Sequence, residues 1–177
     1  TFILGCFQAM NDFSELFFTG GAFDPLRFKE FFELPAELPD KAREARIKER
    51  LLEQKQKQKT TLNDEQLRNE TAKVRCVALC IETKPDWGFF EHGQEMLRQG
   101  CTRVELGIQS VYDDVLKVVH RGHTTADSKK STQVLRDLGF KINFHYMPGL
   151  PLTNRERDIA GMKQLFTDPD YRPDMMK

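Results

Sequence analysis

Six side chains in this chain of 177 residues sit where their types and spacing could do chemistry: Glu82, Lys84, Glu105, Gln109, Ser110 and His145. Carboxylates can accept both hydroxyls of a ribose, and an amide or hydroxyl can hold an adenine edge or an amino-acid group. The set fits a nucleoside ligand. No residue is assigned a catalytic role from the sequence.

These residues belong to three stretches that alternate in character. In residues 104–110 (VELGIQS), Val104, Leu106 and Ile108 fall on one face and Glu105, Gly107 and Gln109 on the other, the two-residue period of a strand. Residues 75–83 (RCVALCIET) oppose Val77, Leu79 and Ile81 to Cys76, Ala78, Cys80 and Glu82. Residues 141–148 (KINFHYMP) oppose Ile142, Phe144 and Tyr146 to Asn143, His145 and Met147. Helical patterns at 89–99, 125–138 and 155–166 separate or follow the strands, which predicts an α/β fold with parallel strands covered by helices. The apolar sets would face the helices and the polar sets the lumen of a (β/α) barrel, whose active edge lies at the C-terminal strand ends. The plainer alternative is an open twisted sheet with one wet face. The segments MLRQGCTRVEL and VLRDLGFKINF share a helix end, a Gly stop and a strand, the mark of a repeated βα unit.

The rest of the chain bounds these expectations. Lys plus Arg equals Asp plus Glu at 27 each, so any basic surface must be local. Four cysteines, no secretory signal and no long apolar run predict a soluble cytoplasmic protein with reduced thiols and no membrane partner. Cys76 and Cys80 lack a third cysteine at position 83, which is Thr83, and read as core residues. His120 and His123 flank Arg121, which would repel a cation, so they read as loop anchors and no metal ligand is assigned. Cys6, Phe7 and Met10 have the spacing of the end of a helix, FFTGGAF reads as a turn rather than a phosphate loop, and residues 63–73 form a polar helical lead into the first strand. Residues 41–59 hold eight Lys or Arg against three Glu, with a thin apolar stripe of Ile47, Leu51 and Leu52. This basic helix has two readings of equal weight: an RNA-backbone contact through Lys41, Arg43, Arg46 and Arg50, joined by Arg121 at the strand edge, or a solvated insertion.

The blocks VRCVALCIETKPDW, GCTRVELGIQSVYDDVL, RGHTTAD, GFKINFHYMPGLP and RDIAGMKQLFTDPDYRPDMMK together resemble the catalytic-subunit family of the Elongator complex, especially its archaeal members. Coverage is good from about residue 69 onward and thin before it, where TF, CFQAMNDF and DPLRFKEFFELP carry it. The resemblance implies a radical S-adenosylmethionine barrel, TIM-like and partial here over about 69–177, with a charged helical insertion over about 14–68. It also implies an activity, transfer of a carboxymethyl group derived from acetyl-CoA to carbon 5 of the wobble uridine of tRNA. S-adenosylmethionine and a [4Fe-4S] cluster are the implied cofactors, and Glu82, Lys84, Glu105, Gln109, Ser110 and His145 become candidate cofactor-binding residues. The implied partners are tRNA, acetyl-CoA, and other Elongator subunits or a second copy of the chain. Cys6, Cys76, Cys80 and Cys101 do not match the spacing of the family's cluster cysteines, which would precede Thr1, and the acetyltransferase-like domain would follow Lys177. The chain is therefore expected to be the middle of a radical barrel, inactive alone. The alternative is a barrel that only binds and positions tRNA, without the cluster.

Overall fold

A computed structural model describes residues 2–37, 39–56 and 59–177. The chain forms two compact units, Thr1–Val77 and Ala78–Lys177, divided at Val77.

The first unit is helical. Helix α1 (Phe2–Phe17) leads through a hairpin, β1 (Phe18–Thr19) and β2 (Ala22–Phe23), to α2 (Pro25–Phe31), α3 (Lys41–Gln56) and α4 (Leu62–Asn69). Phe7, Asn11, Ser14 and Phe17 supply a buried stripe with helical spacing on α1, so the helix is much longer than Cys6, Phe7 and Met10 alone suggest, and the insertion expected from about residue 14 begins inside it. Gly20 and Gly21, at φ 59° and 87°, make the two-residue hairpin turn that left-handed backbone requires. Around it, Phe13 and Phe17 meet edge-on at 4.9 Å between centroids, and Phe17 meets Phe28 at 5.3 Å and Phe31 at 5.4 Å. Helix α4 is fastened to α1 by polar groups: Asn11 donates to the Glu65 carboxylate at 2.7 Å and Asn69 donates to Asn11 at 2.6 Å, all three residues buried.

The second unit holds the sheet. Strands β3 (Leu79–Thr83), β4 (Cys101–Gln109), β5 (Lys141–Tyr146) and β6 (Met175–Met176) lie in sequence order, and every neighbouring pair is parallel. Helices α5 (Phe90–Arg98), α6 (Asp113–Val118), α7 (Thr125–Asp137) and α8 (Arg155–Thr167) fill the connections, as parallel strands demand. Val104, Leu106, Ile108 and Phe144 are fully buried in one core with Met96, Leu135, Leu165 and Tyr171, so the apolar faces meet the helical layer as the alternation predicts. The result is a partial (β/α) barrel.

The first strand is shorter than the sequence pattern. Residues 75–78 do not join it, and Val77 is 90% exposed. Side chains of the helical unit claim that backbone instead: Asn69 accepts from the Cys76 N–H at 2.7 Å and donates to the Val74 carbonyl at 3.1 Å, while Ser14 accepts from the Val74 N–H at 2.8 Å. Alternation marks a potential strand, and local side-chain hydrogen bonds take its donors. The expected 63–73 helix likewise stops at Asn69, with Glu70 as its cap.

Candidate functional site

Strand register builds the polar face row by row. Cys80 stands opposite Arg103, Glu82 opposite Glu105, and Glu105 opposite Asn143, so side chains far apart in sequence share one face. His145, two residues beyond Asn143, reaches back between the carboxylates: its Nε2 lies 2.6 Å from Glu105 and its Nδ1 3.2 Å from Glu82. Arg103 pairs with the other Glu105 oxygen at 3.0 Å. Hydrogen bonding to His145 is the largest cause that holds the Glu105 carboxyl down at about 2, with Cys80, Asn143 and Arg103 adding to it against the cost of burial.

Above this row the strand ends surround a cavity of about 530 Å³ lined by Glu82, Thr83, Lys84, Trp87, Gly107, Gln109 and Arg121. Gln109 closes β4 in the left-handed region, φ 62°, within a tight turn in which the Ser110 N–H bonds the Ile108 carbonyl at 2.7 Å. Backbone strain of this kind costs of order 1–3 kcal/mol and clusters at ligand sites. The Met147 N–H holds the Gln109 carbonyl at 2.9 Å, fixing the strained residue to the end of β5. Lys84 reaches Asp86 at 3.0 Å and the Arg121 carbonyl at 3.4 Å. Arg121 donates through Nη2 to the Gly107 carbonyl at 3.1 Å, and its Nε is buried without a partner. His123 is buried with Nε2 3.3 Å from the Ile108 carbonyl, and burial pushes its pKa down, so a neutral imidazole anchors this loop.

Glu82, Lys84 and Gln109 therefore converge as expected from their positions at strand ends. Ser110 does not join them, being 2% exposed with its hydroxyl accepting from the Tyr112 N–H. Glu105 and His145 lie on the same face but line the row of side chains rather than the cavity. Arg121, read from the sequence as an RNA contact, lies in the cavity wall. Trp87, 58% exposed at the rim, joins the site without having been singled out by sequence reasoning, although KPDW directly after a strand is a signal for a strand-end aromatic.

In the helical unit the candidate RNA contacts are engaged within the fold. Arg46 and Arg50 hold the Glu33 carboxylate at 2.6 and 2.8 Å. Arg43 donates to the Phe32 carbonyl at 2.7 Å, and Arg50 to the Phe31 carbonyl at 2.6 Å, so these two arginines cap the C-terminal end of α2 while Arg46 holds only the Glu33 carboxylate. Lys41 is exposed.

The geometry agrees with the comparison to known proteins. The model of the Radical SAM superfamily matches residues 7–162. The chain belongs to the radical SAM superfamily. A tRNA uridine(34) acetyltransferase from Methanocaldococcus infernus is 48% identical over 122 residues, covering 69% of this chain and 23% of that protein. The Elongator complex protein 3 of Schizosaccharomyces pombe is 43% identical over 109 residues, covering 62% of this chain and 20% of that protein. A solved structure of the archaeal Methanocaldococcus infernus Elp3 with an N-terminal deletion superposes at a TM-score of 0.66 with 46% identity, over 73% of this chain and 31% of that one. The chain thus spans roughly a quarter of the curated relatives it matches.

Radical SAM proteins use S-adenosylmethionine and an iron–sulfur cluster, and the two fit this chain differently. The cavity offers a carboxylate in Glu82, the cations Lys84 and Arg121, an amide in Gln109 and an exposed indole, which suits a zwitterionic nucleoside. The cysteines do not suit a cluster: Cys101 is buried and Cys80 is engaged with Arg103, while Cys6 and Cys76 belong to the helical unit. Among the described residues, no helix is long and apolar enough to cross a membrane.

Proposed function

We propose that this chain forms the S-adenosylmethionine-binding part of a tRNA-modifying enzyme that installs a carboxymethyl group, derived from acetyl-CoA, on carbon 5 of the wobble uridine. The convergence of Glu82, Lys84, Gln109 and Arg121 on one cavity at the parallel strand ends of a radical SAM barrel carries this reading. S-adenosylmethionine, when bound, supplies radical hydrogen abstraction, and the cluster that activates it takes its ligands from outside this chain.

The chain's own residues bind and orient. Glu82, 65% exposed at its side chain, faces the ligand's ammonium group, and the Arg121 guanidinium in the cavity wall faces its carboxylate. Gln109, fixed in its strained turn, presents its amide to the adenine edge, and Trp87 offers an apolar rim. tRNA is recognised through phosphate contacts that include Lys41 and the arginines of α3, in exchange for their partners on α2. Acetyl-CoA and any further subunit meet parts of the protein beyond these residues. The name of the Methanocaldococcus infernus relative, a tRNA uridine(34) acetyltransferase, supports uridine 34 of tRNA, the wobble position, as target.

Equilibrium dialysis of S-adenosylmethionine against the whole protein, wild type and Arg121→Ala, tests the central step. An affinity loss of at least tenfold with an unchanged melting temperature is expected. Equal affinity in the two would remove the cavity from the reading and leave a barrel that only positions tRNA.

A further inference from the structure

The row of side chains below the cavity shares only Glu82 with the nucleoside reading and has a chemistry of its own. One donor atom from each of Glu82, Glu105 and His145 lies within 4.8 Å of the others. Two carboxylates and an imidazole at this separation form a set of mixed oxygen and nitrogen ligands, the kind that first-row divalent cations prefer. A second group points to the same place. Asn143 is 8% exposed, stands beside Glu105 in the register and donates to its carboxylate, yet its Oδ1 is buried without a partner. A buried acceptor without a donor costs about 1–3 kcal/mol, and a cation would satisfy it.

We propose that His145, Glu105 and Asn143 form a binding site for a divalent first-row cation, with Glu82 as the carboxylate that orients the imidazole. The cation sits between His145 Nε2 and Glu105, which stand 2.6 Å apart and separate slightly to admit it. With Nε2 on the cation, the ring proton is carried by Nδ1 and donated to Glu82, 3.2 Å away, as metal-bound histidines usually donate to a carboxylate. The other Glu105 oxygen stays with Arg103 at 3.0 Å and Cys80 at 3.4 Å, which fixes its orientation and offsets part of the local charge. All members of the set rise from three adjacent strands of one sheet.

The site is tested with Mn2+ added to the whole protein purified without added iron or S-adenosylmethionine, following the loss of the free-ion electron paramagnetic resonance signal. The wild type is expected to bind one Mn2+ per chain in this site. His145→Ala and Glu105→Gln should each weaken it by more than tenfold, and Glu82→Gln by roughly 10- to 100-fold, the usual effect of removing the carboxylate behind a ligating histidine. Glu95→Gln, on the far exposed pair with Arg98, should bind as the wild type does. Mn2+ affinity that is equal in all five proteins, or absent from the wild type, overturns the proposal. Should His145→Ala fail to fold by circular dichroism, Glu82→Gln, whose side chain is 65% exposed, decides the same question. S-adenosylmethionine affinity measured in chelator separates this site from the cavity above it: its loss in Arg121→Ala but not in His145→Ala assigns the two ligands to two places.

Discussion

The Arg121 guanidinium lies across Gly107: its Nη2 donates to the Gly107 carbonyl at 3.1 Å, and a Cβ built on Gly107 would stand 3.0 Å from that same nitrogen and 3.0 Å from the Gln109 amide. A glycine in mid-strand ordinarily weakens a sheet, and its presence commonly marks close approach of a ligand or another group. Here it leaves room for two donors of one cavity.

Gly107→Ala should therefore act on binding more than on folding. Both neighbours are the far ends of flexible side chains, so they can give way at little cost to stability, but both donors would then be misplaced. We expect S-adenosylmethionine affinity to fall by roughly three- to tenfold, about 0.7–1.4 kcal/mol, while the melting temperature stays near the wild-type value. Calorimetric titration beside a thermal melt separates the two. A lowered melting temperature with full affinity would mean that Gly107 serves only the sheet.

The core makes the opposite prediction. Leu106 and Leu135 are fully buried within one cluster on the helical side of the sheet. Leu106→Ala should cost about 2–5 kcal/mol, combining lost transfer free energy with the cavity left behind. Chemical denaturation measures it, and a cost under about 1 kcal/mol would mean that the sheet packs less tightly than described.

How much of this is legible in the sequence depends on the range of the interaction. Val104, Leu106 and Ile108 announce their face by alternation alone, and Glu105 and Gln109 follow on the other, because a strand leaves no choice. Convergence of Glu82, Glu105, Asn143 and His145 needs the register between three strands, which no single stretch contains. Arg121 reads as a surface charge because it sits in a loop. The loop folds back through His120 at φ 52° and Gly122 at φ 77°, and places the guanidinium in the cavity wall. Arg43, Arg46 and Arg50 read as free charge because their partner Glu33 lies on the far side of two prolines.

Helix α7 should show a pH dependence with a definite sign. Thr124 and Asp127 form a reciprocal cap, and hydrogen bonds from Thr124 hold the Asp127 carboxyl below its ordinary 3.8. A carboxyl whose folded-state pKa is lowered contributes stability above its unfolded value, and loses it as pH falls through the folded value. Thr124→Ala should cost about 1 kcal/mol at neutral pH. The gap from wild type should narrow below pH 3.8, as Asp127 takes up its proton. Denaturant titrations of both proteins at neutral and acid pH check this, and a gap that widens in acid would contradict it.

The basic helix allows the sharpest test of how tRNA is held. On α3 the cations Lys41, Lys48 and Lys55 are matched in number by Glu44, Glu49 and Glu53, so its net attraction for phosphate must come from Arg43, Arg46 and Arg50. Those arginines are occupied by Glu33 and by the carbonyls at the end of α2. Phosphate must compete with Glu33, whose own carboxyl is lowered by Arg46 before any other cause. Glu33→Gln removes the competitor without removing a cation. If α3 contacts tRNA, that variant should bind more tightly at low salt, and its salt slope should steepen by roughly 0.7 to 0.9 for each arginine released to a phosphate. Lys41→Ala should change the slope in the other direction by about the same step. Titrating tRNA at several salt concentrations reads both. Affinity and slope unchanged in the two variants would mean that α3 is a solvated helix whose arginines serve only to hold Glu33 and the end of α2, and would move the RNA path to the strand-end edge.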